Sequence, residues 1–183
     1  SAAEDANSVG KSSLAQLEPQ VDLHGMHWMV GPRAGLAGSE RRFNGLLKAI
    51  DRNLSANPHI TGVYLIYHWR LLEPQEGMLD FARLDRVIEH IRKQGRYYKL
   101  AINPGIYSPD WLYAKGAEAF DTLGSNPARK QIYQKPIRIP VPWDPVFQAS
   151  YFDMLAKVAD HYRDDNHFRA VTLTVATFMS PEW

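Results

Sequence analysis

Residues 60–105 read "ITGVYLIYHWRLLEPQEGMLDFARLDRVIEHIRKQGRYYKLAINPG", and this stretch decides the fold. Its opening run, Ile60 to Tyr67, is rich in β-branched and aromatic residues, too short for a helix and apolar enough for a strand buried on both faces. Asp80 is placed to cap a helix whose apolar stripe is Leu84, Val87, Ile88 and Ile91, with Gly95 as its C-terminal stop. "YYKLAINPG" then reads as the next strand. Strand, loop, helix and strand in this order predict a βαβ unit, and therefore a parallel sheet.

The same plan extends in both directions. Upstream, "VDLHGMHW" (Val21 to Trp28) reads as a first strand followed by the Gly/Pro-rich loop "GPRAGLAGS". Ser39 is a natural N-cap, and Phe43, Leu46, Leu47, Ile50 and Leu54 recur at helical spacing until Asn57 and Pro58 end the helix. Downstream, the segment from about Ile106 to Pro142 is too long for a bare connection, which predicts a short helix and an extended piece around "IRIPVP". Asp144 with Pro145 starts another helix, its apolar face marked by Phe147, Tyr151, Met154, Leu155, Val158, Ala159 and Tyr162. "FRAVTLTVA" is the fourth strand.

Three spaced glycines in "GPRAGLAGSERR" match neither the dinucleotide-binding pattern nor a P-loop. With strands starting at Val21, Ile60, Tyr97 and Phe168, the expected fold is α/β, a (β/α)8 TIM barrel with only about the first four βα units in this chain. Residues 1–20, small and polar for most of their length, read as a flexible tail or linker, and residues 21–183 as the N-terminal half of a barrel domain. The tail resembles what signal-peptide removal leaves, so a secreted or periplasmic location is expected, with the cytoplasm not excluded.

Composition narrows the function. Hydrophobic residues at 45% and charged residues at 22% place the chain among globular proteins. The formal charge of +1 balances 21 basic against 20 acidic residues with no basic cluster, so nucleic acid is not an expected partner. Cysteine is absent, which excludes disulfides, thiolate metal sites and Cys nucleophiles. No apolar run approaches the roughly 20 residues of a membrane span, so no membrane partner is expected. No metal and no cofactor is implied, and oligomeric state is not legible.

In a barrel the residues at the C-terminal ends of the strands face the active site. Those expected there are His27 and Trp28 after strand one, "YHWRLLEPQEG" after strand two, "NPGIYSPDW" after strand three and "TFMSPEW" after strand four. Aromatic and hydrogen-bonding residues together suit a sugar, whose apolar face packs on Trp or Tyr while its hydroxyls need directional partners. Trp69, Tyr107, Trp111 and Trp183 are the candidate platforms, and Arg70 and Asn103 the candidate hydrogen-bonding groups. The structural alternative is that these tryptophans fill gaps between loops and helices.

"YHWRLLEPQEGMLDFARLDRVIEHI" resembles the segment after the second barrel strand in clan A glycoside hydrolases, the β-galactosidase-like and cellulase-like families, where W-x-x-x-E-P-x-x-G-x-x-D-F leads into the second helix. "SPDWL" and "VPWDPVFQASYFDMLAKVADHY" are similar to later pieces of those families, so the resemblance runs from about Val21 to the end of the chain. It implies a retaining hydrolase of β-linked oligo- or polysaccharides. Its general acid/base would be a glutamate ending strand four, the place of Glu182, and its nucleophile would end strand seven, beyond the C-terminus of this chain. Pro181 stands where many of these families carry the Asn that touches the sugar's 2-hydroxyl. Arg70 resembles the strand-two arginine that holds the nucleophile ionised; its structural alternative is a salt bridge. Glu73 and Glu76 read as structural residues of the loop that positions the second helix. A chain that is half a barrel would expose two sheet edges and its inner face, and the isolated polypeptide is expected to be inactive and poorly behaved.

Other constellations are weaker. His24 and His27, three apart on a strand, point to opposite faces and make a poor metal pair. His59, His90, His161 and His167 read as solvated side chains at helix surfaces or ends, and Asp51/Arg52 and Asp164/Asp165 as solvated helix faces. Two competing functions stand beside the hydrolase: a carbohydrate-binding protein on the same scaffold without catalysis, and a barrel enzyme of unrelated chemistry.

Overall fold

The computed structural model describes residues 25–31, 36–124 and 133–173. Strands β1 (Met26–Val30), β2 (Ile60–His68), β3 (Tyr97–Asn103) and β6 (Phe168–Thr172) form one sheet in the order β1-β2-β3-β6. Every neighbouring pair in it is parallel, as the alternation of strand and helix requires. Helices α1 (Glu40–Ala56), α3 (Ala82–Lys93) and α5 (Pro145–His161) connect the strands, with short helices α2 (Trp69–Leu72) and α4 (Asp110–Ala114) directly after β2 and β3.

The helical stripes pack against one face of the sheet. Phe43, Leu46, Leu47, Ile50 and Leu54 of α1 join Leu84, Val87, Ile88 and Ile91 of α3 in a single core with Val63, Leu65 and Tyr67 of β2 and Tyr98, Leu100 and Ile102 of β3. The opposite face is less covered among the described residues: Met29 is 49% exposed, and Tyr64 and Lys99, in register beside it, are half-buried. Residues alternate between the two faces along each strand, so one register decides which side chains enter the core.

Helix ends follow their local chemistry. Asp144 Oδ1 accepts from Phe147 N at 2.7 Å with Pro145 in the first turn, as the sequence predicts. Gly95, at φ +65, closes α3 in a Schellman arrangement: its N–H donates to Arg92 O at 2.8 Å and Arg96 N–H to Ile91 O at 3.2 Å. Asp80 caps more loosely than expected, accepting from Ala82 N at 2.9 Å while Phe81 holds the N-cap position. Ser39 holds the N-cap of α1 without a side-chain cap bond. Ala159, expected on the apolar face of α5, is exposed.

Three expectations need correction. The first strand is β1, Met26–Val30, shifted toward the C-terminus from the expected Val21–Trp28; of that expected strand, residues 21–24 lie outside the described residues. Gly25, at φ +111, marks the entry, because a Cβ there would lie 2.1 Å from Thr61 Oγ1. The long segment after β3 does hold a short helix, α4, but its extended piece is paired: β4 (Ala119–Leu123) and β5 (Pro136–Pro140) form an antiparallel ribbon. Several polar side chains taken as solvated are partnered instead. His90 Nδ1 lies 2.9 Å from Asp51, His161 Nε2 lies 3.2 Å from Asp85, and the side chain of Asp165 is only 11% exposed.

Candidate functional site at the C-terminal ends of the strands

β2 and β3 end together, His68 in register with Asn103, and the chain leaves each strand by a short, tightly bonded turn. After β3 the 3-10 turn Gly105–Tyr107 brings the Tyr107 ring over the His68 imidazole, with centroids 3.6 Å apart and planes within 9°. The Arg70 guanidinium, on the first turn of α2, stands 5.3 Å from the centroid of the same Tyr107 ring. β5 lies against this turn, so the β4/β5 ribbon walls the cluster on the β3 side. Tyr151 on α5 donates its hydroxyl to Ile102 O at 2.7 Å and pins the helix to the end of β3.

Of the residues predicted at the site, Arg70, Asn103 and Tyr107 are brought together. The side-chain oxygen Oδ1 of Asn103 is buried and has no hydrogen-bond partner among the described residues. A buried amide oxygen without a partner is an unmet acceptor. His68 was not singled out by sequence reasoning, although its signal was there: it continues the alternation Gly62, Tyr64, Ile66 opposite the core residues Val63, Leu65 and Tyr67, and it ends the strand.

The other candidates fall elsewhere. Trp69 is completely buried, its ring tilted against Tyr151 at 5.3 Å and edge-on to Trp111 at 5.7 Å, so it is a core residue and offers no platform. The helical turn that begins at Trp69 sends its side chain inward and that of Arg70 outward, which spacing along the chain did not reveal. Trp111 is half-buried, and its indole N–H is used internally, donating to Glu73 O at 3.0 Å.

His27 and Trp28 lie within β1 opposite Gly62 and Val63, not at its C-terminal end, because the strand runs on to Val30. The His27 ring lies over Gly62, where a Cβ would come within 3.3 Å of it, and burial followed by the nearby Lys99 charge lowers its pKa. Trp28 packs against the core on the helical side. Glu182 and Trp183 lie outside the described residues. Glu73 and Glu76 stay in the loop after β2, as expected: Glu73 is buried, and Glu76 pairs with Lys115 at 2.6 Å. Tyr113, behind the cluster on α4, is pushed up to about 12 chiefly by burial.

The Glyco_hydro_42 family model, described as beta-galactosidase, matches residues 50–174. The chain belongs to this beta-galactosidase family of glycoside hydrolases. Beta-galactosidase BbgII of Bifidobacterium bifidum is 29% identical over 102 residues, which are 54% of this chain and 14% of that one. Among solved structures, the cold-adapted beta-galactosidase of Rahnella sp. R3 superposes with a TM-score of 0.54 at 18% identity, covering 80% of this chain and 20% of the other. The GH5_18 protein of Streptomyces cattleya, solved in complex with GlcNAc, gives 0.52 at 13% identity over 81% of this chain and 33% of its own. The structural likenesses identify the four parallel strands and their helices as part of a (β/α)8 barrel, and the family match bears out the resemblance to β-galactosidase-like glycoside hydrolases. The chain spans a small part of the length of each of these relatives.

Proposed function

We propose that the protein is a retaining glycoside hydrolase of β-linked sugars, β-galactosides first among them, and that its sugar contacts stand at the C-terminal ends of β2 and β3. The observation that carries this reading is the family match over residues 50–174 together with the grouping of His68, Arg70, Asn103 and Tyr107 at the one end of the sheet where barrel enzymes hold their substrates. The stacked rings offer an apolar edge to the sugar, the Arg70 guanidinium donates to hydroxyls, and the open Asn103 Oδ1 accepts from one. Glu182, ten residues beyond the end of β6 in the sequence, is the general acid that protonates the leaving oxygen and the base that later activates water. The nucleophilic carboxylate, which retention requires about 5 to 5.5 Å from the acid, is not assigned to any residue of this sequence.

The test is hydrolysis of a nitrophenyl β-galactoside by the full-length protein and by Glu182→Gln. A loss of about 100- to 10,000-fold in kcat with the fold intact supports the assignment. Unchanged turnover removes it, and galactose binding without any turnover in the unaltered protein supports a sugar-binding protein in place of an enzyme.

A further inference from the structure

Glu73 is 2% exposed, and both oxygens of its side chain are engaged. Oε2 accepts from the Trp69 indole N–H at 2.7 Å, and Oε1 accepts from the Gly77 backbone N–H at 2.8 Å. Gly77 adopts φ +76, a conformation that an L side chain resists, and this bends the loop so that its N–H turns back toward Glu73. The main chain of the same residue is engaged as well: its N–H donates to Trp69 O at 2.8 Å, and its carbonyl accepts from the Trp111 indole N–H at 3.0 Å.

These bonds reach two different loops. Trp69 and Gly77 belong to the loop after β2, whose first turn carries Arg70; Trp111 belongs to α4, in the loop after β3, a few residues beyond Tyr107. The two indole rings then meet edge to face at 5.7 Å, so a displacement of one loop is felt by the other. Tyr107 reaches α4 through two short successive turns, closed by Ser108 N–H to Gly105 O at 3.1 Å and Leu112 N–H to Pro109 O at 3.2 Å.

We propose that Glu73 is a positioning residue that locks the loop after β2 to the loop after β3 and so holds Arg70 over Tyr107. Glu73 touches no substrate; it acts through Trp69 and Trp111. The inference rests on the glycosidase reading only for its sugar-binding consequence.

The substitution Glu73→Gln keeps the shape but replaces one acceptor oxygen by an NH2 group, which faces either the Trp69 or the Gly77 N–H with a donor. In the full-length protein, Trp69 and Trp111 each give one indole ¹⁵N–¹H resonance. In Glu73→Gln the resonances of both Trp69 and Trp111, and the ring signals of His68 stacked on Tyr107, are expected to move while the amides of α1 and β1 stay in place. Movement confined to Trp69 and Gly77 overturns the proposal, because the second loop is then not held through Glu73.

If Glu73→Gln does not fold, Trp111→Phe keeps the ring bulk and removes only the donor to Glu73 O. The Trp69 indole and His68 ring signals must then shift, and their constancy overturns the proposal. Galactose titrated into the folded variant should bind about tenfold or more weakly than to the unaltered protein. Failure of the unaltered protein to bind galactose counts against the glycosidase reading alone, since the indole shifts are read without sugar.

Discussion

Two polar clusters stand at opposite ends of β3. At its C-terminal end the His68 ring stacks on Tyr107, the Arg70 guanidinium stands over the same Tyr107 ring, and the buried Asn103 amide oxygen has no hydrogen-bond partner among the described residues. At its N-terminal end, under the turn from α5 to β6, the hydrogen bonds close on themselves. Tyr98 OH donates to Asp165 Oδ2 at 2.7 Å, His167 N donates to Asp165 Oδ1 at 2.9 Å, and Arg92 lies 3.7 Å from the same carboxylate. Nearby, Tyr162 OH donates to Asp85 at 2.8 Å. Burial raises both tyrosine hydroxyls well above their usual range, with Asp165 adding to it at Tyr98 and Asp85 at Tyr162. Polar groups that satisfy one another contribute to stability, whereas the Asn103 oxygen lacks its bond among the described residues. Barrel enzymes in general keep their chemistry at the C-terminal ends of the strands and stability at the N-terminal ends.

The sharpest way to break this comparison is to remove the centre of the closed cluster. Asp165→Ala leaves the Tyr98 hydroxyl and the His167 N–H without their acceptor in a nearly buried place, and a loss of about 2 to 3 kcal/mol in urea unfolding is expected. Tyr98→Phe removes a single bond and keeps the ring, for a loss of about 1 kcal/mol in the same experiment.

A third test uses pH. Burial pushes the Asp165 carboxyl up, but the His167 backbone N–H, the Tyr98 hydroxyl and Arg92 together outweigh burial and leave its pKa below the usual value. The folded pKa is therefore depressed, so this contribution is complete above the ordinary carboxylate range near about 4 and is lost as pH falls through the folded value. Thermal melts between neutral and acid pH should show a shallower acid decline for Asp165→Asn than for the unaltered protein. An unchanged acid limb would show that other carboxylates dominate it.

The smallest stability effect belongs to the open cluster. Arg70 is exposed, and Arg70→Ala should change unfolding free energy by no more than about 0.5 kcal/mol. Galactose affinity, followed by calorimetry, should nevertheless fall by about tenfold, the worth of one charged hydrogen bond. A large destabilisation without an affinity change would move Arg70 from the ligand side of the comparison to the structural one.

Much of the scaffold was legible because local chemistry decides it. The stripe from Phe43 to Leu54, the Asp144-Pro145 start and the Gly95 stop each depend on residues within a few positions of one another. The strand alternation of β2 likewise separates core from inner face without reference to anything distant. Strand β4 escaped notice because "AFDTL" carries a weak local signal and is recruited by pairing with Pro136–Pro140, residues remote in sequence. Asp51, His90 and His161 looked solvated because each finds its partner on another helix.

The amino-acid sequence by itself determined the order of the four parallel strands and the long helices between them, and the resemblance to the family, since periodicity and motif spacing are properties of the chain. Only the tertiary structure decided that Trp69 is a buried anchor while Arg70 beside it faces outward, that His27 and Trp28 sit within β1, and that His68 stacks under Tyr107. The physical reason is register: a shift of one residue turns a side chain to the other face of a strand, and the register of β1 is set by its bonds to β2.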